Sequence, residues 1–408
     1  MRLFSQYKGL RNEVYILFVC KLIDSMGSVI GPMLTLILST KMGMNATEIA
    51  LYATLFMILS LPMSYLGGKA CDKYNKKLVI NICDITTSLL YICCGIIGLN
   101  ITTIIIYFIG SMLQMIESPA YDTLAADYTI GEQRDKAYSL LYLGMNFGMM
   151  LAPTIGGFLI NNHIQLMFIL NGLFQLLSII VFDIFVKDTT AVIDDDNTYE
   201  AKSDSISTIQ ILKENRIITE FLIIFGISMF VYNMWGYLMP LSLSSIQGEL
   251  GSIYYGTMST LNCIEVVLFT TIITASIAKL TSINRMILGN VLEVLGFVVF
   301  LLFINTPFMY YVAIFIFTLG EITNTISTTP HLSKRIPINY RGRINAASNI
   351  IYNIFAIIGE IITGYVYDRF GLYQAWIFII FIGLLTILAY QLSKKKDKES
   401  FPNLYNEK

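Results

Sequence analysis

The sequence predicts an all-α membrane protein with twelve transmembrane helices in two six-helix bundles. Three observations carry that expectation. Only 13% of the residues are charged and 55% are hydrophobic, whereas a soluble domain is about 25% charged. Twelve apolar windows long enough to cross a bilayer can be read along the chain, and the second half repeats special positions of the first.

A bilayer core about 30 Å thick needs roughly 20 helical residues at 1.5 Å rise. Windows of that kind run over 14–40, 47–67, 78–99, 101–126, 137–160, 165–186, 217–243, 253–280, 286–304, 308–330, 344–366 and 374–392. The first is too long and too charged for a signal peptide, and no small-residue cleavage site follows it.

Of the 27 Lys and Arg, Lys21 lies inside a span, Lys279 at the inner end of span eight, only Lys41 and Arg369 fall in odd-numbered loops, and the other 23 occupy the termini and even-numbered loops. The positive-inside rule therefore predicts that both termini are cytoplasmic, as an even number of crossings also requires. The expectation is a multi-pass, monomeric protein of a bacterial plasma membrane. The net charge of −1 hides this segregation and gives no reason to expect nucleic acid. Five cysteines (Cys20, Cys83, Cys93, Cys94, Cys263) fall in spans and Cys71 in an inner loop, so neither a disulfide nor a metal site is expected.

The predicted organisation is an N-terminal bundle over 1–186, a cytoplasmic linker over 187–216, a second bundle over 217–392 and a tail over 393–408. The linker is polar and carries the run Asp194-Asp195-Asp196; its end, ISTIQILKEN, has the pattern of a short amphipathic surface helix. Asn100 alone separates spans three and four, and 305–307 separate spans nine and ten, which leaves no room for an outer domain. A shift of 207 residues superposes Arg134 on Arg341, Lys136 on Arg343, Asn146 on Asn353 and Gly157 on Gly364; a shift of 208 superposes Pro32 on Pro240. Two halves of like topology are an arrangement of transporters that rock one half against the other about a midplane site.

Between spans two and three lies GKACDKYNKK, Gly68 to Lys77. This stretch resembles the signature loop of the major facilitator superfamily, with Gly68, Asp72, Lys73, Asn75, Lys76 and Lys77 at the matching positions. Ala70 stands for a leucine, lysines for both arginines and Asn75 for a glycine. Asn is the non-glycine residue that best tolerates a left-handed turn, while lysine does not reproduce a bidentate fork. The resemblance implies that Asp72 meets the cytoplasmic end of span eleven and locks the outward-facing state. A tight loop with anchoring lysines is the plainer reading, and suffices for Lys76 and Lys77.

GMMLAPTIGG in span five resembles the superfamily's antiporter motif, through Gly148, Pro153, Gly156 and Gly157, with Ala152 replacing a glycine. Such glycines let helices approach closely, and Pro153 removes a backbone donor, so this helix is expected to hinge. Ordinary small-residue packing is the alternative. The segment from Asp127 to Tyr142 is similar to the superfamily's loop between spans four and five, which implies that Arg134 pairs with acids of the cytoplasmic gate. An arginine in span four, associated with proton coupling in drug exporters of the superfamily, is missing: no basic residue lies between Lys77 and Arg134.

A charge at a helix centre costs roughly 2.5–3.5 kcal/mol on insertion scales, so the intramembrane acids need a reason. They are Asp24, Asp84, Glu117, Asp122, Glu265, Glu293, Glu321 and Glu360, against one base, Lys21. The superfamily fold places spans one, four, seven and ten around the central cavity, which favours Asp24, Glu117 and Glu321 as proton or cation sites. The same sorting makes Asp84 and Glu293 structural, Glu265 intermediate and Asp122 solvated, and leaves Glu360 without a role. In span one, Lys21 and Asp24 at i and i+3 share a helix face. They form either a silent ion pair or a pair in which Lys21 tunes the acid; Gly27 and Gly31 beside them are close-packing positions. Tyr232 and Trp235 in span seven are suited to stack on planar or cationic substrates, or to pack between helices.

The resulting expectation is a secondary active transporter that exports amphipathic or cationic small molecules by alternating access, driven by the proton gradient and without a cofactor. A permease for one metabolite on the same fold is the alternative. A membrane enzyme is disfavoured because the only histidines, His163 and His331, flank an outer and an inner loop, and no metal spacing is present.

Overall fold

The computed structural model describes residues 7–129, 132–186, 212–213, 215–336 and 341–406. Among them the regular structure is helical throughout, without a strand. Eleven helices are long and apolar enough to cross a membrane. The remaining predicted window, the fifth, is present as two helices, Glu132–Met149 and Ala152–Leu159. The predicted all-α, twelve-span architecture is therefore found.

The breaks have chemical causes. Span one is helical over Asn12–Gly27, resumes at Ile30–Leu36 and widens into a π turn at Ile37–Lys41. The interruption at Ser28 lies four residues before Pro32, which has no N–H to offer the Ser28 carbonyl. Pro240, its repeat partner, sits instead inside the continuous helix Arg216–Gln247. In span five, Pro153 opens the second piece and cannot bond the carbonyl of Met149. Side chains of the stretch Tyr255–Cys263 take up the freed carbonyls: Thr260 Oγ1 donates to Met150 O at 2.5 Å, and Cys263 Sγ approaches Met149 O at 3.8 Å. Proline inside a membrane helix is tolerated when neighbours satisfy the released backbone in this way.

The last span, Leu372–Ser400, runs beyond its predicted end at Leu392. Tyr390, Ser393 and Asp397 continue one buried helical stripe into the charged sequence KKKDKES. Asp397 there meets Arg335 in a bidentate ion pair, with Nε–Oδ1 at 2.6 Å and Nη2–Oδ2 at 2.5 Å.

The chain divides into two compact units. The first holds Met1–Met42, Tyr52–Asn197 and Tyr255–Cys263; the second holds Gly43–Leu51, Thr198–Tyr254 and Ile264–Lys408. Each therefore includes one short stretch that the sequence-based bundle boundaries assign to the other half. Leu17, Ile80, Tyr121 and Phe182 belong to the core of the first, and Phe221, Ile283, Leu332 and Tyr390 to that of the second. In the second unit, Asp368 caps the helix that begins at Ala46, accepting from the N–H groups of Ala46 and Thr47 at 3.1 and 2.8 Å. The repeat has a structural counterpart within each unit: Asn146 Nδ2 donates to Tyr142 O at 2.7 Å, and Asn353 Nδ2 to Asn349 O at 2.8 Å. Apart from Leu212, Lys213, Asn215 and Arg216, the linker, including most of ISTIQILKEN, lies outside the described residues.

Candidate functional site

Each unit contains a buried acidic cluster, and in each a glycine lets two helices approach closely. In the first unit, a Cβ on Gly172 would lie 2.6 Å from Ser88 O, so only glycine allows span six this near span three. One turn further, Gln175 Nε2 donates to Asp84 Oδ1 at 3.0 Å. Glu117 of span four lies against the Asp84 carboxyl. Lys21 enters from span one, its Nζ 4.8 Å above the Tyr121 ring, within electrostatic reach of Glu117, Asp24, Asp84 and Asp122.

One expectation is corrected here, and one of the two readings of Lys21 with Asp24, the closed ion pair, falls away. Asp84 is 4% exposed and belongs to the cluster with Glu117 and Lys21, so its placement away from the candidate site does not hold. Among the described residues no ion pair joins Lys21 to Asp24; the ammonium turns to the Tyr121 face, a cation–π contact that keeps it close to several carboxyls at once. Gly27 is a close-packing position, with a Cβ 2.3 Å from Phe174 Cβ, but Gly31 has open space around it and packs against nothing.

In the second unit the close approach is between spans nine and ten. A Cβ on Gly320 would fall 2.5 Å from Gly289 O, and one on Gly289 would fall 2.3 Å from Asn324 Oδ1. Four residues beyond each glycine stand Asn324 and Glu293, and Asn324 Nδ2 donates to Glu293 Oε1 at 2.8 Å. The chain of donors extends backward: Ser228 Oγ donates to Asn290 Oδ1 at 2.7 Å, and Asn290 Nδ2 to Asn324 Oδ1 at 3.3 Å. All three bonds run toward the carboxylate. Glu293 is 1% exposed, and its Oε2 has no hydrogen-bond partner among the described residues.

Glu293 and Glu321 share the wall of a cavity of about 500 Å³ with Tyr232, Asn324, Asn349 and Tyr352, and no basic residue lines it among the described residues. Glu321 accepts from Tyr232 Oη at 2.8 Å, and the Tyr232 ring stacks on Phe317 at 5.8 Å and 16°. Glu293, hydrogen-bonded to its neighbour Asn324 as a structural acid would be, also borders this cavity. Trp235 lies 5.8 Å from Phe317 and is not in the cavity wall. Glu265 is 2% exposed beside Thr318 and within electrostatic reach of Glu321, also outside the wall. Glu360 is half-buried in span eleven, and Asp122 is exposed as expected.

Asn75 at the loop has φ −62° and ψ 124°, not the left-handed conformation of a glycine replacement. It is the N-cap of Lys76–Ile97, its side chain accepting from Lys77 N at 2.9 Å. Lys76 pairs with Asp127, while Lys77 Nζ donates to Asp183 O and Val186 O at 2.8 Å each and approaches Asp183 Oδ1 at 3.1 Å. Both lysines thus tie helix ends together, Lys77 at the negative end of span six. Lys73 lies over Tyr74, 5.3 Å from the ring centroid. Gly68 has open space; its neighbour Gly67 is the close approach, where a Cβ would be 2.1 Å from Ile116 O. The side chains of Asp72 and Arg134 lie outside the described residues.

In the antiporter-like motif, Ala152, Pro153, Gly156 and Gly157 are buried at the break in span five. A Cβ on Gly148 would sit 2.5 Å from Ser25 Cβ, and one on Gly156 would sit 2.7 Å from Met33 Cγ. Both glycines press span five against span one, which carries Lys21 and Asp24.

A sequence model of the Major Facilitator Superfamily matches residues 16–360. The chain belongs to this superfamily. Curated relatives include the quinolone resistance protein NorA of Staphylococcus aureus, 26% identical over 148 residues, or 36% of this chain and 38% of that protein. Another is multidrug resistance protein 1 of Bacillus subtilis, 29% identical over 142 residues, 34% and 36% of the two chains. The chain thus matches little more than a third of the length of these relatives. Among solved structures it resembles the nucleoside transporter NupG, with a TM-score of 0.72 at 14% identity over 94% of this chain and 100% of that one. A bacterial homologue of the human lysosomal transporter Spinster gives a TM-score of 0.72 at 13% identity, covering 95% and 98%. The protein is a multi-pass membrane transporter of this superfamily, not an enzyme.

Proposed function

We propose that this superfamily member exports amphipathic cationic molecules in exchange for protons across a bacterial plasma membrane, with both termini cytoplasmic and the two six-helix halves joined by the polar linker. The observation that carries the reading is the second-unit cavity, whose wall among the described residues holds Glu293 and Glu321, the aromatic Tyr232 and no basic residue. Such a wall favours a cation through charge and ring stacking, and an acid in low dielectric exchanges its proton for a positive ligand. The local similarity to NorA and to the Bacillus multidrug resistance protein supports the same substrate class.

Lys21, Asp24 and Glu117, joined by Asp84, form the second titratable group of this reading. The break at Pro153, with Gly148 and Gly156 against span one, is its hinge. Asp72 and Arg134 are its gate residues, with Lys76 and Lys77 as the anchors of the loop.

Inverted membrane vesicles test the proposal. An imposed pH gradient should drive uptake of a lipophilic cationic dye, and Glu321→Gln or Asp24→Asn should lower the initial rate at least about tenfold, a loss of about 1.4 kcal/mol of transition-state stabilisation. A wild-type protein that moves no dye under any gradient would remove the multidrug reading. The amides Asn324 and Asn349 in the same wall would then favour a permease for one polar metabolite.

A further inference from the structure

A second cavity, of about 610 Å³, lies in the second unit where the loop between spans eight and nine meets the end of span ten. Lys279, Arg285, Lys334 and Arg335 all line it, and no carboxylate does among the described residues. Arg335 is neutralised by Asp397 and sits over the Phe401 ring. The other three cations have no ion pair among the described residues. Arg285 is held in place by neutral groups, donating through Nε to Leu280 O at 2.9 Å and through Nη2 to Ala278 O at 2.7 Å. Its charge is fixed in position and has no carboxylate partner among the described residues.

Two further groups favour an anion there. The helix Ser282–Leu302 begins at the cavity, and its N-cap Thr281 makes no capping bond, so the first N–H groups and the positive end of the helix dipole face this region. The Thr281 hydroxyl is a buried atom without a hydrogen-bond partner among the described residues. The Ser282 hydroxyl is engaged by His331 Nδ1 at 2.9 Å and fixes the helix start. Tyr405, whose hydroxyl bonds Asp397 at 2.5 Å, forms part of the wall from the C-terminal segment.

We infer that this cavity is a binding site for a phosphate ester group, held by Lys279, Arg285 and Lys334 and by the start of the helix Ser282–Leu302. A tetrahedral oxyanion can accept from a fixed guanidinium, two mobile ammonium groups and backbone N–H groups together. The source is either the headgroup of an anionic phospholipid or a free phosphate. Leu280 at the rim is 39% exposed, an apolar neighbour of the kind an acyl chain covers.

The test uses purified full-length protein. In nanodiscs that mix phosphatidylcholine with phosphatidylglycerol, native mass spectrometry should show retained phosphatidylglycerol. The exposed-site double variant Lys279→Ala/Lys334→Ala should weaken that retention at least about tenfold, the size of one lost charge-assisted bond. Lys334→Arg should keep it, and Lys395→Ala, a tail lysine outside the cavity, should leave it unchanged. In detergent, inorganic phosphate is titrated against the thermal midpoint. A rise absent from the double variant assigns the site to free phosphate, and retention of phosphatidylglycerol without such a rise assigns it to the lipid headgroup. Equal phosphatidylglycerol retention by wild type and double variant, with no variant-sensitive effect of phosphate, overturns the site.

Discussion

Tyr232 Oη donates to Glu321 Oε1 at 2.8 Å, so a span-seven aromatic holds a span-ten carboxylate at the wall of the second-unit cavity. Removing the hydroxyl in Tyr232→Phe keeps the ring on Phe317 and releases the acid. A hydrogen bond to a charged group contributes about 1.5–3 kcal/mol. We expect at least a roughly tenfold lower initial transport rate for a cationic dye in proteoliposomes, with the thermal midpoint lowered by no more than the loss of that one bond. An unaltered rate would show that Glu321 needs no orientation.

The bond from Asn324 to Glu293 predicts a contrast between stability and transport. Asn324→Ala leaves a buried carboxylate with both oxygens unsatisfied, while Asn290 Nδ2 keeps its bond to Met286 O, a cost of about 1–3 kcal/mol. Glu293→Gln keeps the shape and an acceptor oxygen for Asn324, and should unfold near the wild-type temperature while losing transport. Thermal unfolding in detergent and dye flux on the same preparations separate the two effects.

Glycine substitutions should divide by backbone proximity and not by sequence motif. Gly172→Ala and Gly320→Ala place a methyl within 2.6 and 2.5 Å of backbone oxygens, and overpacking of this kind costs about 1–3 kcal/mol. Gly31→Ala and Gly68→Ala meet open space and should be neutral or slightly stabilising, since alanine is the better helix former. Comparing the four thermal midpoints decides the matter.

The Arg335–Asp397 pair is buried on both sides, with side chains 4% and 2% exposed. Deleting one partner in Arg335→Ala should destabilise by about 3–5 kcal/mol, because the Asp397 charge remains without compensation. Replacing both by apolar residues, Arg335→Met with Asp397→Leu, should recover much of the loss. Equal midpoints for the single and double variants would contradict this account.

The spans were legible because membrane insertion demands long apolar runs, a constraint that acts on composition alone. The break in span five was legible in part, through Pro153. The break at Ser28 has the same origin in Pro32 but lies within an unbroken apolar window, so hydropathy does not register it. That Asp84 joins the Lys21 cluster and Glu293 borders the cavity was not legible, because family topology sorts whole helices and not helix faces. A local signal existed: Gly289 and Glu293 are four residues apart, as are Gly320 and Asn324, so each glycine contact carries its polar neighbour into the same interface. The position of Lys21 was not legible from its i, i+3 spacing to Asp24. Tyr121, the ring it meets, comes from a different span, and a local pattern carries no record of such a partner.

The one-way chain from Ser228 through Asn290 and Asn324 to Glu293 restricts where a proton can reside. On Oε1 it would leave that oxygen a poorer acceptor for the Asn324 amide N–H. Oε2 carries no such conflict. The two oxygens of this one carboxyl are therefore chemically inequivalent, and Glu293 behaves as a monodentate acid whose acidic oxygen is chosen by a serine three partners away.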